Sequence, residues 1–254
     1  MDKAKNNLAL IKALDVVEAV ANGDRYLKDI CSRLDIPKST VHRILLGLIK
    51  ANYIHEIKDV GLVLGTKLIQ LGHIAEDNLP IKQIANPFLR HLAAMTKDTV
   101  HLGIRERDSI YFLDSVSGER HVQMSSRQGT CSPLSLSITG KSLMLDMERE
   151  EWLRIAQTQV APQTNSITSE MEEYQHHGYS YGHVGYEKIY YCISVPVRDD
   201  QSNIVAAISV TTLKEYMPED RVNMLVKLIQ QSCDAIAEQI KKAQQIDLYH
   251  INNL

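Results

Sequence analysis

The chain has 254 residues, 44% of them hydrophobic, which suffices for one large or two ordinary packed domains and excludes a disordered protein. Its 28 Lys and Arg against 31 Asp and Glu give a net charge of −3, which excludes a protein that coats nucleic acid over its whole surface. No apolar run approaches the roughly 18 to 20 residues a membrane span needs, and the opening MDKAKNN lacks a secretory apolar segment, so a cytoplasmic protein is expected.

Taken in chain order, Leu10, Leu14, Val17 and Ala21 predict a first amphipathic helix that stops at Asn22-Gly23. Leu27, Ile30, Cys31 and Leu34 predict a second, ending near Asp35. Pro37 has no amide hydrogen and fits the first turn of a new helix, so a third starts there, with Val41, Ile44, Leu45 and Leu48 facing inward. Ser39, His42, Arg43, Leu46 and Lys50 then point the opposite way. Two helices around a tight turn, the second with a hydroxylated and basic outer face, suit a helix-turn-helix that reads the major groove. A helical hairpin with a merely solvated face is the competing reading. After a stop at Asn52, residues 53–57 and 61–65 predict two short strands around a Lys58-Asp59 turn, a wing. Residues 1–66 carry 10 Lys and Arg against 8 Asp and Glu, leaving 18 against 23 for the rest, so the positive end is the end with this motif.

The stretches IPKSTVHRILLGL, NYI and LVLGTKLIQLG resemble the N-terminal winged helix-turn-helix of the IclR family of bacterial transcription regulators. A tyrosine usual in that family is Leu62 here. The resemblance implies double-stranded operator DNA as a partner, with Lys28, Lys38, Ser39, Thr40, His42 and Arg43 as the candidate DNA-contacting residues. A solvated lysine is as good a reading of Lys28.

Leu68, Leu71 and Ile74 predict a linker helix broken by Pro80, and Ile84, Phe88, Leu92 and Met95 a further helix kinked at Pro87. Residues 99–105 and 109–115 predict a hairpin, residues 121–126 an edge strand, and 137–147 and 148–157 two helices. Ser169-x-x-Glu172 has the spacing of a capping box opening another helix that ends at Gly178. Residues 188–197 and 204–212 predict two strong strands, and 218–242 a long helix through Val222, Leu225, Leu228, Ile229, Cys233, Ile236 and Ile240. The order gives an α+β fold with helices on a mostly antiparallel sheet. It is similar to the GAF-like effector-binding domain of the IclR family, and the resemblance extends to about residue 243. The expected organisation is a winged helix-turn-helix over 1–66, a linker helix over 67–80, an effector domain over 81–243 and a tail over 244–254.

Within that second domain, Gly140-Lys141 opens a helix where free amides attract anions, with an ordinary turn as the alternative. Ser209 and Thr211 share one strand face, as do Tyr190 and Cys192. The resemblance implies that Ile138, Thr139, Gly140, Gly182, Tyr190, Cys192, Ser209 and Thr211 line an effector pocket. The chain departs from the family pattern at Ser135, where a histidine is usual, at Ile189, where a glycine is usual, and in lacking an acidic run after Gly178-Tyr179. Five of the eleven tyrosines lie between Tyr179 and Tyr191, which suggests a more aromatic wall.

The four cysteines lie far apart, without ligand spacing, so no metal, cofactor or disulfide framework is expected. The first function to weigh is a regulator, a repressor in the first instance, that binds an operator as a homodimer or dimer of dimers and answers to a small organic or sugar acid from catabolism. The second is an enzyme with Cys192 as nucleophile and His183 or Glu187 as base, although Cys192 has no basic neighbour in sequence to lower its pKa. The third is a ligand-sensing module whose winged domain binds protein, which the basic, hydroxylated start of the third helix disfavours.

Overall fold

In a computed structural model that describes residues 3–120, 127–159, 164–184 and 188–251, the chain forms two units, Met1–Leu79 and Pro80–Leu254. Each has its own apolar core.

The first unit holds helices α1 (Lys3–Ala21), α2 (Leu27–Leu34) and α3 (Lys38–Lys50), strands β1 (Ile54–Ile57) and β2 (Gly61–Leu64), and helix α4 (Thr66–Asp77). Asp35 ends α2 in the left-handed region at φ 49°, and Pro37 caps α3 from an extended conformation. The two stop signals either side of the turn therefore act in sequence. Ile30, Val41, Leu45, Ile54 and Leu62 close the core against Val16, Ala19 and Val20 of α1. The tyrosine-to-leucine departure at Leu62 thus falls on a core position. Expectation and structure differ on α1: Leu10 and Leu14 are 59% and 56% exposed. The apolar residues of that helix spread well beyond one stripe, so periodicity alone could not choose a face, and the stripe with the small Ala19 packs inward. The wing is antiparallel, with Ile54 opposite Leu64 and Ile57 opposite Gly61. The Arg25 guanidinium donates to the Leu62 carbonyl at 2.9 Å, and the Leu62 amide donates back to the Arg25 carbonyl at 2.9 Å, so α2 and the wing are joined through one residue.

The second unit holds α5 (Pro80–Thr96), β3 (Thr99–Glu106), β4 (Ser109–Val116), β5 (Cys131–Pro133), α6 (Ile138–Leu143), α7 (Arg149–Thr158), α8 (Thr164–His177), β6 (Ser180–Val184), β7 (Tyr190–Arg198), β8 (Ile204–Leu213) and α9 (Glu219–Ile251). The strands form an antiparallel sheet in the order β5-β4-β3-β8-β7-β6. One face packs on α5 and α9, the other on α6. Alternation along β7 and β8 sends Ile193, Val195, Ile208 and Val210 to one face and Cys192, Ser194, Ala207 and Ser209 to the other. Asp98, fully buried at the start of β3, accepts from Arg120 at 2.6 Å and Arg221 at 2.5 Å, and both guanidiniums also donate to the Thr96 carbonyl, so the α5–β3 turn is pinned to the start of α9.

The main strands and α7 match their predicted ranges within two residues. Four expectations need correction. In α5 the inward stripe is Ala85, Leu89, Leu92, Ala93 and Thr96, with Met95 61% exposed. The helix expected over 137–147 is only the six residues of α6. Helix α8 starts at Thr164, so Ser169 lies in its interior and opens nothing. Helix α9 runs on to Ile251, so the expected tail begins as helix. Strands β5 and β6 have no counterpart among the predicted elements, and the edge strand expected at 121–126 lies outside the described residues.

Candidate nucleic-acid interface and effector site

On α3 the buried Val41 and Leu45 fix the rotation of the helix, and the opposite face stands free. Lys38, Ser39, His42, Arg43 and Lys50 are exposed and Thr40 is half-buried. The expected outer face is therefore accessible, and Lys28 is exposed at the start of α2. An open groove of about 650 Å³ between α2, α3 and the wing is lined by Lys28, Lys38 and His42 from both helices, and by the apolar Leu46. Surface of this kind offers donors to phosphates and to base edges.

In the second unit the sheet brings distant residues to one place. Thr139 on α6 donates to Ser209 Oγ at 2.9 Å, across 70 residues of sequence. Cys192 lies opposite Thr211 in the β7–β8 register, and the hydroxyls of Thr211, Thr139 and Ser209 near its thiol favour the thiolate. Burial outweighs them and pushes that thiol above its ordinary pKa. Gly182 faces Cys192 across β6–β7; its φ is 152°, and a Cβ there would stand 3.1 Å from the Ile138 side chain. Tyr190 sits two residues before Cys192 on the same face and is half-buried. Ile138, Thr139, Gly182, Tyr190, Cys192, Ser209 and Thr211 thus gather at the junction of α6 with β6, β7 and β8. Gly140 turns elsewhere: its amide is capped by Ser137 Oγ at 3.3 Å, and a Cβ on it would lie 2.2 Å from the Leu134 carbonyl oxygen. The glycine there admits the chain's own backbone, and Lys141 points to Glu170 at 2.5 Å.

Sequence reasoning missed His101. The β3–β8 register sets it opposite Ser209, on the same face as Thr139 and Cys192, with its ring edge-on to Phe112 at 5.4 Å. It is 2% exposed, and neither ring nitrogen has a hydrogen-bond partner among the described residues. Burial lowers its pKa to about 4. The alternation Thr99, His101, Gly103 was visible in the sequence, but its pairing with Ser209 over more than a hundred residues was not.

Two family departures find local partners. Ser135 donates to Gln159 Oε1 at 2.8 Å, and the Ile189 carbonyl accepts from the Lys214 amide at 2.7 Å. Of the expected aromatic wall, Tyr179 and Tyr181 pack with each other and with His177 on α8. His183 pairs with Tyr191 in register, one position from the Gly182–Cys192 pair, so alternation sends its ring to the face opposite the thiol. Its Nδ1 lies 3.1 Å from the Lys188 carbonyl oxygen. A protonated thiol with this candidate base across the sheet is not the pairing that nucleophilic catalysis needs; Glu187 lies outside the described residues. Among the described residues no His, Cys, Asp and Glu cluster could hold a metal ion, and no helix is long and apolar enough to cross a membrane.

A winged helix-turn-helix followed by an α+β domain is the architecture of transcription regulators that carry a DNA-binding and an effector-binding domain. The profile described as "Bacterial transcriptional regulator IclR C-terminal" matches residues 73–238, and that of the "IclR helix-turn-helix domain" matches residues 9–57. The chain belongs to the IclR family of transcription regulators, with a DNA-binding domain and an effector-binding domain. Its relatives are regulators rather than enzymes. It is 24% identical over 251 residues to the HTH-type transcriptional regulator KdgR of Escherichia coli K12, covering 94% of this chain and 95% of that one. To the HTH-type transcriptional repressor AllR of the same organism it is 27% identical over 210 residues, 79% of this chain and 78% of that one. Among solved structures, an IclR homolog from Microbacterium hydrocarbonoxydans complexed with 4-hydroxybenzoate shares the fold, with a TM-score of 0.79 at 20% identity, covering 92% of this chain and 99% of that one.

Proposed function

We propose that the chain is a cytoplasmic regulator that binds a two-fold operator as a dimer through α3, and that a small organic or sugar acid from a catabolic route binds at the α6 junction and shifts its affinity for DNA. The observation that carries the DNA reading is the exposed face of Ser39, His42 and Arg43 opposite the buried Val41 and Leu45. Side chains so placed reach base edges, while Lys28 and Lys38 suit phosphates. For dimerisation, Leu8, Leu10, Ile11 and Leu14 on α1 and Ile69 and Ile74 on α4 are each more than half exposed, an apolar surface that a second copy of the chain would cover. The acid reading draws support from the buried hydroxyls of Thr139, Ser209 and Thr211 at the junction and from the 4-hydroxybenzoate complexed with the Microbacterium homolog. Such an acid acts only by preferring one of two conformers.

The test uses DNA selected by the wild-type chain from a random pool. Ser39→Ala and Arg43→Ala each weaken that complex by about 1 to 3 kcal/mol at matched salt, with stabilisation by acids unchanged. Parent-like DNA affinity in both variants overturns the assignment of α3.

A further inference from the structure

An imidazole buried with both nitrogens unpartnered is an expensive residue to keep. Desolvating a polar group without a hydrogen bond costs free energy that Phe or Leu at the same position would not incur. His101 makes its ring contact with Phe112 and gains no hydrogen bond in return among the described residues. It stands beside the Thr139–Ser209 pair, on the face that carries Cys192. The same face contains a second orphan, Ser194 Oγ. The groups around the ring are uncharged: β4 presents Phe112 and Ser115, β8 Ser209 and Thr211, α6 Thr139, and β7 the Cys192 thiol, which burial keeps protonated. Lys141 is held by Glu170, and Asp114 is held by Asn86 of α5 at 2.7 Å. Among the described residues no fixed cation meets an anion placed here. A carboxylate desolvated on a neutral floor needs a counter-charge, and among those same residues the imidazole is the group that can become a cation near neutral pH.

We propose that His101 is the proton-accepting contact of the effector, so that a small acid binds as its carboxylate together with one proton taken from solvent onto the imidazole. An N–H bond forms at the unprotonated ring nitrogen, the proton comes from hydronium or buffer acid whose conjugate base stays in solvent, and the product is an imidazolium–carboxylate pair with nothing oxidised. The proposal rests on reading the α6 junction as the effector site and adds to it a chemical class and a pH dependence. Before binding, burial keeps His101 neutral down to a pKa of about 4. In the complex the carboxylate raises that pKa. Between the two values, acid affinity rises as pH falls, by up to about tenfold per pH unit, and it is flat above the higher value.

The experiment is calorimetry on the full chain with acetate, pyruvate, gluconate and 4-hydroxybenzoate, each beside its amide, in buffers of different ionisation enthalpy from pH 5.5 to 8. At least one acid binds the wild type with uptake approaching one proton at the acidic end, and its amide binds without uptake. His101→Gln, which keeps polarity and cannot protonate, loses the uptake and the pH slope and binds that acid at least about tenfold more weakly. His101→Phe does the same, and melting curves check that each variant is folded; should both fail to fold, proton uptake by the wild type decides alone. Acid binding without uptake, or equal binding by folded variants, overturns the proposal. If such binding is still weakened by Ser209→Ala, the effector site stands and only the role of His101 falls. Binding untouched by Ser209→Ala and Cys192→Ala removes the site itself. Binding of none of the four acids overturns both the proton coupling and the acid class.

Discussion

His101 has a second consequence at the scale of a single residue, and it needs no ligand. An imidazole titrates near 6.5 in the unfolded chain and at about 4 when folded, because burial disfavours its charged form. As pH falls below about 6.5 the unfolded state takes up the proton first, so stability present at pH 7 is lost progressively down to about pH 4. Between pH 7 and 4.5 this one group removes about 2 to 3 kcal/mol from the second unit. Urea unfolding of wild type and His101→Gln at both pH values isolates the effect from that of the carboxylates: the wild type loses that much more than the variant, and equal losses would show that the ring is solvated. The other residues of the proposed effector site divide along the same physical line. Cys192, Ser209 and Thr211 were legible because strand alternation is written in consecutive residues, whereas the Thr139–Ser209 bond and the His101–Ser209 pairing depend on tertiary register that no local window contains. On α3 the division of faces was legible in full, since Val41 and Leu45 set its rotation.

At the scale of elements, the glycines show which backbone positions are constrained. A Cβ on Gly47 of α3 meets nothing within 4 Å, so Gly47→Ala trades a flexible residue for a good helix former and stabilises the first unit by about 0.5 to 1 kcal/mol. On Gly140 of α6 the same methyl meets the Leu134 carbonyl, so Gly140→Ala destabilises the second unit by about 2 kcal/mol or more. Thermal unfolding of the two variants moves in opposite directions; a stabilised Gly140→Ala would mean that α6 has slack against the preceding turn. Sequence could not separate these two glycines, because each lies in a helical pattern and only the tertiary neighbour differs. The same limit explains α1 and α5, where several apolar stripes compete and the partner decides. It also explains α6, which stops at Leu143, where the Met144 and Leu145 carbonyls accept from the Trp152 and Gln175 side chains of α7 and α8. Strands β5 and β6, three and five residues long at the two edges of the sheet, carry too few alternating positions for a local signal.

At the scale of the whole molecule, the question is what the exposed apolar side of the first unit is for. Leu8, Leu10, Ile11 and Leu14 lie between 52% and 59% exposed on α1, while Val16, Ala19 and Val20 of the same helix fill the core. Two apolar faces on one helix mean that folding the unit uses only one of them. Burying the second between two copies gains roughly 25 cal/mol for each square ångström removed from water, and it places two α3 helices under one two-fold axis. Leu10→Glu combined with Leu14→Glu therefore changes surface positions of the monomer, where substitutions cost about 0.5 kcal/mol or less. In the proposed dimer the same pair sets four carboxylates against each other across a symmetric interface. Sedimentation should show the variant as a monomer at concentrations where the wild type is a dimer, with the melting of the first unit nearly unchanged. Affinity for a two-half-site operator should fall by about a hundredfold or more, because the second half-site no longer acts at high effective concentration, while affinity for a single half-site stays the same. An unchanged dimer would move the interface off α1, and a monomer with full operator affinity would remove the need for two-fold symmetry.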